Sequence, residues 1–347
     1  MTLKLSPGTG LALGCAPSWL PGGQAQTIWP AVFARSHDRA HPPHYRRERH
    51  TTPDGDFVDI DWQEPPASMA RAAQGLLVLF HGLEGSSRSH YALAFADWAR
   101  RQGWRYAVPH FRGCSGELNL APRAYHSGDH AEIGWMLDRI RASHGGGPVV
   151  AVGVSLGGNA LLRWAEESGD QAGQVVQAVA AVCAPIDLAA AGHAIGRGLN
   201  RYLYTPMFLR TMKPKALAKL AQHPGLFDAD QLRQARDLYA FDNLFTAPLH
   251  GYRDTDDYWR RASAKPRLAE IRIPALVLHA RNDPFVPADS LPSPREVGSH
   301  VTLWQPHHGG HVGFASGAWP GDVRGLPLAV MGWMQAVLGS CWPKAPS

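Results

Sequence analysis

The side chain best suited to covalent chemistry is that of Ser155, which stands in Gly153-Val154-Ser155-Leu156-Gly157 directly after the apolar run Val149–Val154. A serine hydroxyl is a weak nucleophile at neutral pH and needs a neighbouring base. A strand that turns sharply into a helix exposes such a hydroxyl, provided that small residues stand two positions before and after it. Gly153 and Gly157 meet this requirement, and Gly158 allows the helix to approach the sheet. The pattern predicts a catalytic nucleophile at Ser155.

This strand, turn and helix match the nucleophile elbow of the α/β-hydrolase fold, in which an acid and then a histidine follow the serine along the chain. Asp283 stands in Asn282-Asp283-Pro284, just after the apolar run Ala275–Ala280, and we expect it to be the acid. Asp187, which follows the preceding apolar run, is the alternative, because some hydrolases carry the acid there. Its position also suits a helix N-cap, which is the interpretation we favour.

The base must lie on a loop after the last strand, where His307, His308 and His311 are the candidates. His311 follows two glycines and precedes a helix-like stretch, so we expect it to be the base. The spacing of His307 and His311 can also bind a metal ion when both side chains face inward on one helix. Gly309 and Gly310 disfavour a helix between them, so no metal site is predicted.

Acyl transfer also needs hydrogen-bond donors aimed at the developing oxyanion. The first is expected to be the backbone N–H of Leu156, directly after the nucleophile. The second should come from the loop after an earlier strand, where His81-Gly82-Leu83-Glu84-Gly85 stands. We expect the N–H of Leu83 to be that donor, and the alternative is that this segment is a plain glycine-rich turn.

The rest of the sequence predicts the elements that hold these residues. Six short apolar runs alternate with helix-length segments, at Leu76–Phe80, Tyr106–Phe111, Val149–Val154, Val176–Ala184, Ala275–Ala280 and Val301–Trp304. The segments that predict helices are His90–Arg101, His126–Ala142, Asn159–Glu167 and Leu326–Leu338. Apolar strands separated by helices are typical of a mostly parallel sheet covered on both faces, so the predicted fold class is α/β.

The changes of pattern along the chain predict its organisation. Residues 1–43 are rich in Gly and Pro and predict an irregular N-terminal arm. Tyr45–Trp62 predicts a hairpin, because it contains Asp54-Gly55, a strong turn signal. Between about residues 189 and 264 the pattern is helical, with no run typical of a buried strand. We therefore predict a hydrolase core in two parts, residues 44–188 and 265–347, with a helical cap of residues 189–264 inserted between them.

The predicted cap is basic, with six Lys or Arg and no acidic residue between His193 and Leu220. Apolar residues are interleaved with these charges, and the simplest interpretation is a helix pair with its apolar face on the core. A cap must also turn some apolar surface toward the pocket, because ligand sites are mostly apolar and concave. We predict that Met207 and Phe208 form a substrate-binding wall. Lipid-like or anionic substrates, and peripheral contact with lipid, are consistent with this composition.

Short motifs spread over roughly residues 20–340 resemble one known family. They are Gln24–Thr27, His81–Gly85, Phe111–Gly116, Tyr125–Gly128, Gly153–Asn159, Phe241-Asp242, Thr246–Tyr252, Asn282–Phe285 and Gly310–Phe314. Together they are similar to the YheT-like branch of the α/β hydrolases, whose eukaryotic relatives are the ABHD lipases and esterases. The resemblance implies a carboxylesterase or lipase with Ser155, Asp283 and His311 as its triad, the three residues that the spacing also selects.

Three residues of these motifs have two possible interpretations. Arg112, Tyr125 and His126 either line the pocket floor or form a hydrogen-bonded cluster that holds a loop, and we favour the cluster. Glu132 departs from the family pattern, in which an Asp is expected, but it stands on a predicted helix and leaves the chemistry unaffected. Trp29 in the N-terminal arm is expected to pack on the domain.

Composition disfavours several other kinds of protein. The 347 residues carry 34 Lys and Arg against 29 Asp and Glu, a net charge of +5, without the basic stripe and recognition module of a nucleic-acid-binding protein. The scattered cysteines, Cys15, Cys114, Cys183 and Cys341, favour neither a zinc site nor a disulfide framework. Leu11–Cys15 faintly matches a lipoprotein cleavage site, but prolines and glycines interrupt the apolar stretch before it. No apolar run approaches the ~20 residues that cross a bilayer, so we expect a cytoplasmic protein.

The sequence therefore predicts a serine hydrolase that cleaves small-molecule or lipid-like acyl esters without a cofactor. An acyltransferase that uses the same triad, with an alcohol in place of water, is the first alternative. A binding protein on a hydrolase scaffold is the second, and the complete triad argues against it. The acyl chain, the alcohol and the oligomeric state are left open.

Overall fold

An eight-stranded sheet forms the centre of the computed structural model, which describes residues 13–69, 75–339 and 342. The strands are β1 Arg46–Thr51, β2 Phe57–Gln63, β3 Leu76–Phe80, β4 Arg105–Pro109, β5 Val149–Val154, β6 Ala178–Val182, β7 Ala275–Leu278 and β8 Val301–Trp304. Their order is β1-β2-β4-β3-β5-β6-β7-β8. The first two pairings, β1 with β2 and β2 with β4, are antiparallel, and all the others are parallel. The predicted α/β class is confirmed.

Helices connect and cover these strands. They are α1 Gly22–Val32, α2 His90–Arg101, α3 His130–Ala142, α4 Leu156–Ser168, α5 Ala172–Val175, α6 Leu188–Ile195, α7 Asn200–Gln222, α8 Ala229–Gln234, α9 Leu238–Phe241, α10 Ala247–Leu249, α11 Thr255–Ala262 and α12 Gly325–Leu338. The predicted helices all form, although α3 begins four residues later than expected and α4 three residues earlier. No helix in the described ranges combines the length and the apolar character needed to cross a membrane.

The apolar runs are continuous because both faces of the sheet are buried. In β3, Leu76, Val78 and Phe80 pack on the side of α3 and α4, whereas Leu77 and Leu79 pack on the side of α2 and α12. Successive side chains of a strand point to opposite faces of the sheet. When both faces are buried, every position of the strand favours an apolar residue, and no alternation of apolar and polar residues is seen.

The N-terminal arm differs from its prediction, because Gly22–Val32 forms the helix α1. Its two leading glycines and Pro30 have low helix propensity, which is why the sequence reads as irregular. The helix is held instead by tertiary contacts, since Gln26 and Thr27 are buried against the loop after β8. Residues 1–12 of the predicted arm, and Cys341, lie outside the described residues.

The segment between β6 and β7 contains α6 to α11 and one turn of π-helix, Asp242–Thr246. Within the described residues it adds no strand to the sheet. Its apolar side chains form a cluster of their own around Tyr204, Leu209, Phe241 and Phe245, which also includes Phe285 from the loop after β7. These helices occupy the segment for which we predicted a cap, residues 189–264, and its role as a cap stays a prediction.

The parallel strands bring the three predicted catalytic side chains together. Ser155 follows β5 directly, while Asp283 and His311 lie on the loops after β7 and β8. Strands β5, β6, β7 and β8 are consecutive neighbours in the sheet, and the carboxyl ends of parallel strands lie at one edge. Ligands bind at this edge in open α/β sheets.

Candidate active site

The turn between β5 and α4 holds Ser155 in a conformation that few residues adopt, with φ 52° and ψ −122°. The chain is so close-packed around it that side chains cannot fit at the flanking glycines. A Cβ on Gly153 would lie 2.4 Å from the carbonyl oxygen of Gly157, and one on Gly157 would lie 2.5 Å from that of Phe80. Backbone strain of this kind is common where a nucleophile is presented.

Two hydrogen bonds join the three predicted triad residues. The Oδ2 atom of Asp283 lies 2.8 Å from Nδ1 of His311, and Nε2 of His311 lies 3.0 Å from Oγ of Ser155. Because a carboxylate can only accept, Nδ1 carries the proton and Nε2 is left as an acceptor for the serine hydroxyl. This is the arrangement that a general base requires.

The loop after β7 keeps the second carboxylate oxygen of Asp283 occupied. Its Oδ1 accepts backbone N–H groups from Phe285 at 2.7 Å and Val286 at 3.3 Å, so the side chain is fixed and buried. Asp187, the alternative acid, instead accepts the N–H of Ala190 at 3.0 Å and caps α6.

The loop that carries His311 is held by α1, a contact that the sequence analysis did not predict. The Oγ1 atom of Thr27 accepts the N–H of His311 at 2.8 Å, and Oε1 of Gln26 accepts the N–H of Gly309 at 3.0 Å. The helix passes so close that a Cβ on Gly313 would lie 1.7 Å from the carbonyl oxygen of Gln26. The motif Gln24–Thr27 was the available signal, although the sequence alone gave it no role.

The other two histidines of that loop lie away from these contacts. His307 and His308 are exposed, and neither they nor His311 lies on a helix. Within the described part of the chain, the one group of potential metal ligands is Cys183, Asp283 and His311. Burial raises the pKa of the Cys183 thiol well above its usual range, and a protonated thiol is a poor metal ligand.

The loop after β3 passes directly over the serine, since a Cβ on Gly82 would lie 3.1 Å from Cβ of Ser155. Three of its N–H groups are occupied: that of Gly82 by Tyr91 Oη, that of Glu84 by Tyr125 Oη, and that of Gly85 by the carbonyl of Gly82. Among the described residues, the N–H of Leu83 has no acceptor.

The N–H of Leu156 is also available, because it is the first of α4 and has no acceptor within the helix. Leu83 and Leu156 line the same cavity as Ser155. Both residues therefore combine a place in the cavity lining with a backbone N–H that has no acceptor among the described residues.

An ion pair connects this loop to α7. The carboxylate of Glu84, next to Leu83 and at φ 57°, accepts from Nζ of Lys215 at 2.9 Å and from Oη of Tyr125 at 2.9 Å. The Glu84 side chain is only 12% exposed, so its charge is poorly screened by water. Lys215 is thus the cation that balances this largely buried carboxylate, which belongs to the residue directly after Leu83.

The cavity over the serine has a volume of about 150 Å³ and is lined mostly by apolar side chains. Only one of the two predicted wall residues lines the cavity. Phe208 does, whereas Met207 is 44% exposed to solvent and does not. Adjacent residues of a helix point about 100° apart, and at this position of α7 only Phe208 faces the cavity. The second wall residue is Met212, one helical turn after Phe208.

Arg112, Tyr125 and His126 line the cavity and are also hydrogen-bonded, so both interpretations hold. Arg112 donates to Asp54 and Asp56, at 2.8 Å each, and to Glu132. Glu132 is thus the buried partner of Arg112, a role that the sequence did not reveal, and its burial raises its pKa to about 7. Burial lowers the pKa of His126 to about 3, so its ring is neutral at pH 7.

Asp242 is the one acidic side chain among the cap residues that line the cavity in the described structure. It accepts from Thr246 Oγ1 at 2.7 Å and from Trp259 Nε1 at 2.9 Å. Burial raises its pKa to about 6. The carboxylate belongs to the π-helical turn, and such turns occur frequently at functional sites.

Comparison with known proteins identifies the family. The family described as having the alpha/beta hydrolase fold matches residues 75–318. The chain is 38% identical over 315 residues to the Escherichia coli protein named "Putative esterase YheT", covering 90% of each chain. It is 30% identical to mouse "Phospholipase ABHD3", covering 86% of this chain and 73% of that protein.

A solved structure, Est1E from Butyrivibrio proteoclasticus, superposes with a TM-score of 0.51 at 14% identity, covering 86% of this chain and 99% of that one. At that identity the likeness concerns the fold alone. The matched family and the identity to YheT extend over most of the chain. The protein therefore belongs to the α/β-hydrolase family, in its YheT-like branch.

Proposed function

We propose that the protein is a carboxylic ester hydrolase that forms an acyl-enzyme on Ser155. The observation that supports this most strongly is the pair of hydrogen bonds from Ser155 through His311 to Asp283, at the wall of an apolar cavity. The relatives named esterase, phospholipase and monoacylglycerol lipase support ester hydrolysis as the reaction type.

The reaction follows from the hydrogen bonds. Ser155 Oγ attacks the ester carbonyl while Nε2 of His311 takes its proton, and the imidazolium returns that proton to the departing alcohol. Asp283 holds the Nδ1–H tautomer and stabilises the imidazolium. Water then attacks the acyl-enzyme with His311 again as base, which releases the acid and restores Ser155.

The N–H groups of Leu83 and Leu156 are proposed to bind the oxyanion that forms at each attack. Both are free of described acceptors at the cavity wall, and donors fixed by backbone need no reorganisation when charge develops. The cavity is lined mostly by apolar side chains such as Leu188, Ile195 and Phe245, which suits a lipid-like acyl chain rather than a charged substrate.

The first test is chemical labelling combined with a panel of p-nitrophenyl esters of increasing chain length. We expect a fluorophosphonate probe to label the wild type and the panel to be hydrolysed, and both to be lost in Ser155→Ala. Labelling or turnover that survives this substitution would contradict the assignment. Added alcohols that receive the acyl group faster than water does would favour the acyltransferase instead.

Asp283→Asn is expected to lower kcat by about 10⁴-fold, because the amide no longer holds the required tautomer of His311. Asp187→Asn is the matched control, since Asn and Asp are equally good N-caps and Asp187 does not contact His311. Steady-state kinetics on one ester, with folding checked by circular dichroism, distinguishes the two. A larger loss in Asp187→Asn would move the acid to the loop after β6.

Lys215→Met is expected to lower kcat/KM by roughly tenfold, equivalent to about 1.4 kcal/mol in the barrier, because the Glu84 charge then opposes the oxyanion. Glu84→Gln in the same protein should restore most of the activity, since it removes that charge and leaves the contact with Tyr125 possible. Lys213→Met, on the same helix and outside the cavity lining, is the control. Loss that persists in the double variant would mean that the pair matters only for packing.

Phe208→Ala is expected to shift the preferred ester toward longer acyl chains, because the ring forms part of the cavity wall. Each additional buried methylene contributes roughly 0.8 kcal/mol, so the shift should be visible across the ester panel. Met207→Ala, a neighbouring exposed position, should leave the chain-length profile unchanged. An unaltered profile in Phe208→Ala would remove this residue from the substrate site.

A further inference from the structure

The exposed hydrophobic side chains of this protein are concentrated on one part of the surface. Of the twelve large hydrophobic residues that are exposed in the described structure, eight lie on α1 or directly after it, on the first half of α7 or directly before it, and at Trp319. We call this set the docking face: Ile28, Val32, Phe33, Leu199, Tyr202, Leu203, Met207 and Trp319. Monomeric soluble proteins rarely expose large apolar patches unless these serve binding.

Direct contacts bring the three segments of the docking face together. Gln24 of α1 donates to Asn200 of α7 at 2.7 Å and accepts from Tyr204 Oη. Ile28 and Val32 follow Gln24 at intervals of four residues, so they continue the same side of α1. The ring of Trp29 lies 6.3 Å from that of Trp319, which places Trp319 beside α1.

The docking face is bordered mainly by positive charge, because the nearby carboxylates already pair with other basic side chains, Asp38 with His41 and Arg100 and Asp322 with Arg324. Three exposed arginines stand on or just before α7, and two more follow α1: Arg197, Arg201, Arg210, Arg35 and Arg39. No Asp or Glu occurs between residues 193 and 220, or before Asp38. No carboxylate of a described residue lies within 4.0 Å of any of these five guanidinium groups.

The inner sides of the same two helices contact the candidate active site. Thr27 of α1 accepts the N–H of His311. Phe285 packs on the His311 ring at 4.3 Å and against the rings of Tyr204 at 4.5 Å and Phe208 at 6.0 Å. A surface that held the docking face would therefore lie next to the cavity that contains Ser155.

We propose that the docking face binds the surface of an anionic lipid bilayer. Apolar and aromatic side chains enter the boundary between headgroups and acyl chains, while the arginines contact anionic headgroups. Docking by itself does not depend on hydrolysis. The further step, that a lipid ester passes from the bilayer into the cavity, rests on the proposed function.

A second copy of the chain fits this surface poorly. In a two-fold dimer the same patch meets itself, so five arginines would face five arginines, and the two carboxylates at its edge, Asp38 and Asp322, are already paired within their own chain. An anionic bilayer supplies both the apolar interior and the opposite charge.

The test is co-sedimentation of the full chain with vesicles of phosphatidylcholine alone or mixed with phosphatidylglycerol. We expect binding to the anionic vesicles only, and weaker binding as salt is added. Arg197→Gln and Arg201→Gln should each weaken binding about fivefold, in line with the contribution of one basic residue near such a surface. Tyr202→Ser and Leu203→Ser should also weaken it, whereas Leu328→Ser and Val337→Ser, exposed positions on α12, should not.

Hydrolysis of a short, water-soluble ester should stay at the wild-type rate in all these variants, which shows that they are folded. Vesicle binding is also measured with Ser155→Ala. Binding that persists in this variant is independent of hydrolysis, so the docking proposal can be judged even if the proposed function fails. Equal binding to neutral and anionic vesicles, or equal effects of the α12 controls, would overturn the proposal. Light scattering that finds a dimer, lost in Tyr202→Ser, would assign the face to a second copy and overturn it as well.

Discussion

The arrangement of the site depends on the close approach of backbone segments around Ser155. The chain turns from β5 into α4 with Ser155 at φ 52°, and a Cβ on Gly153 or Gly157 would lie within 2.5 Å of a carbonyl oxygen. Because β3 and β5 are paired neighbours, the same packing brings the loop after β3 over the serine. One constraint thereby presents the hydroxyl and brings Leu83 and Leu156 into the lining of the same cavity.

Two helices outside the sheet, α1 and α7, complete the site. The helix α1 holds the loop of His311 through Gln26 and Thr27, and α7 neutralises Glu84 beside Leu83 through Lys215. Both helices also carry the exposed hydrophobic residues of the docking face. We propose that α1 and α7 contact a membrane. The same two helices hold the loop of His311, the proposed base, and balance the charge of Glu84 next to Leu83, a proposed oxyanion donor.

The sequence predicted the sheet and most of its helices, because buried parallel strands are short apolar runs and the elbow has a distinctive glycine spacing. It also selected Ser155, Asp283 and His311, whose side chains the structure places within hydrogen-bond distance of one another; their roles remain a prediction. Thr27, Lys215 and Glu132 could not be found in this way, because the contacts that give them their roles are formed only in the folded chain and belong to no recognised catalytic pattern. Met207 was wrongly grouped with Phe208, since two residues adjacent in the sequence point about 100° apart on a helix and only Phe208 faces the cavity.

The most direct measurement is the identity of the residue that carries the acyl group during turnover. A rapidly quenched reaction with a p-nitrophenyl ester, followed by proteolysis and mass spectrometry of the peptides, reports it. Our account predicts an acyl adduct on Ser155 that forms in a burst with p-nitrophenol and decays as the substrate is consumed. An adduct on another residue that forms and decays at the rate of turnover would contradict it.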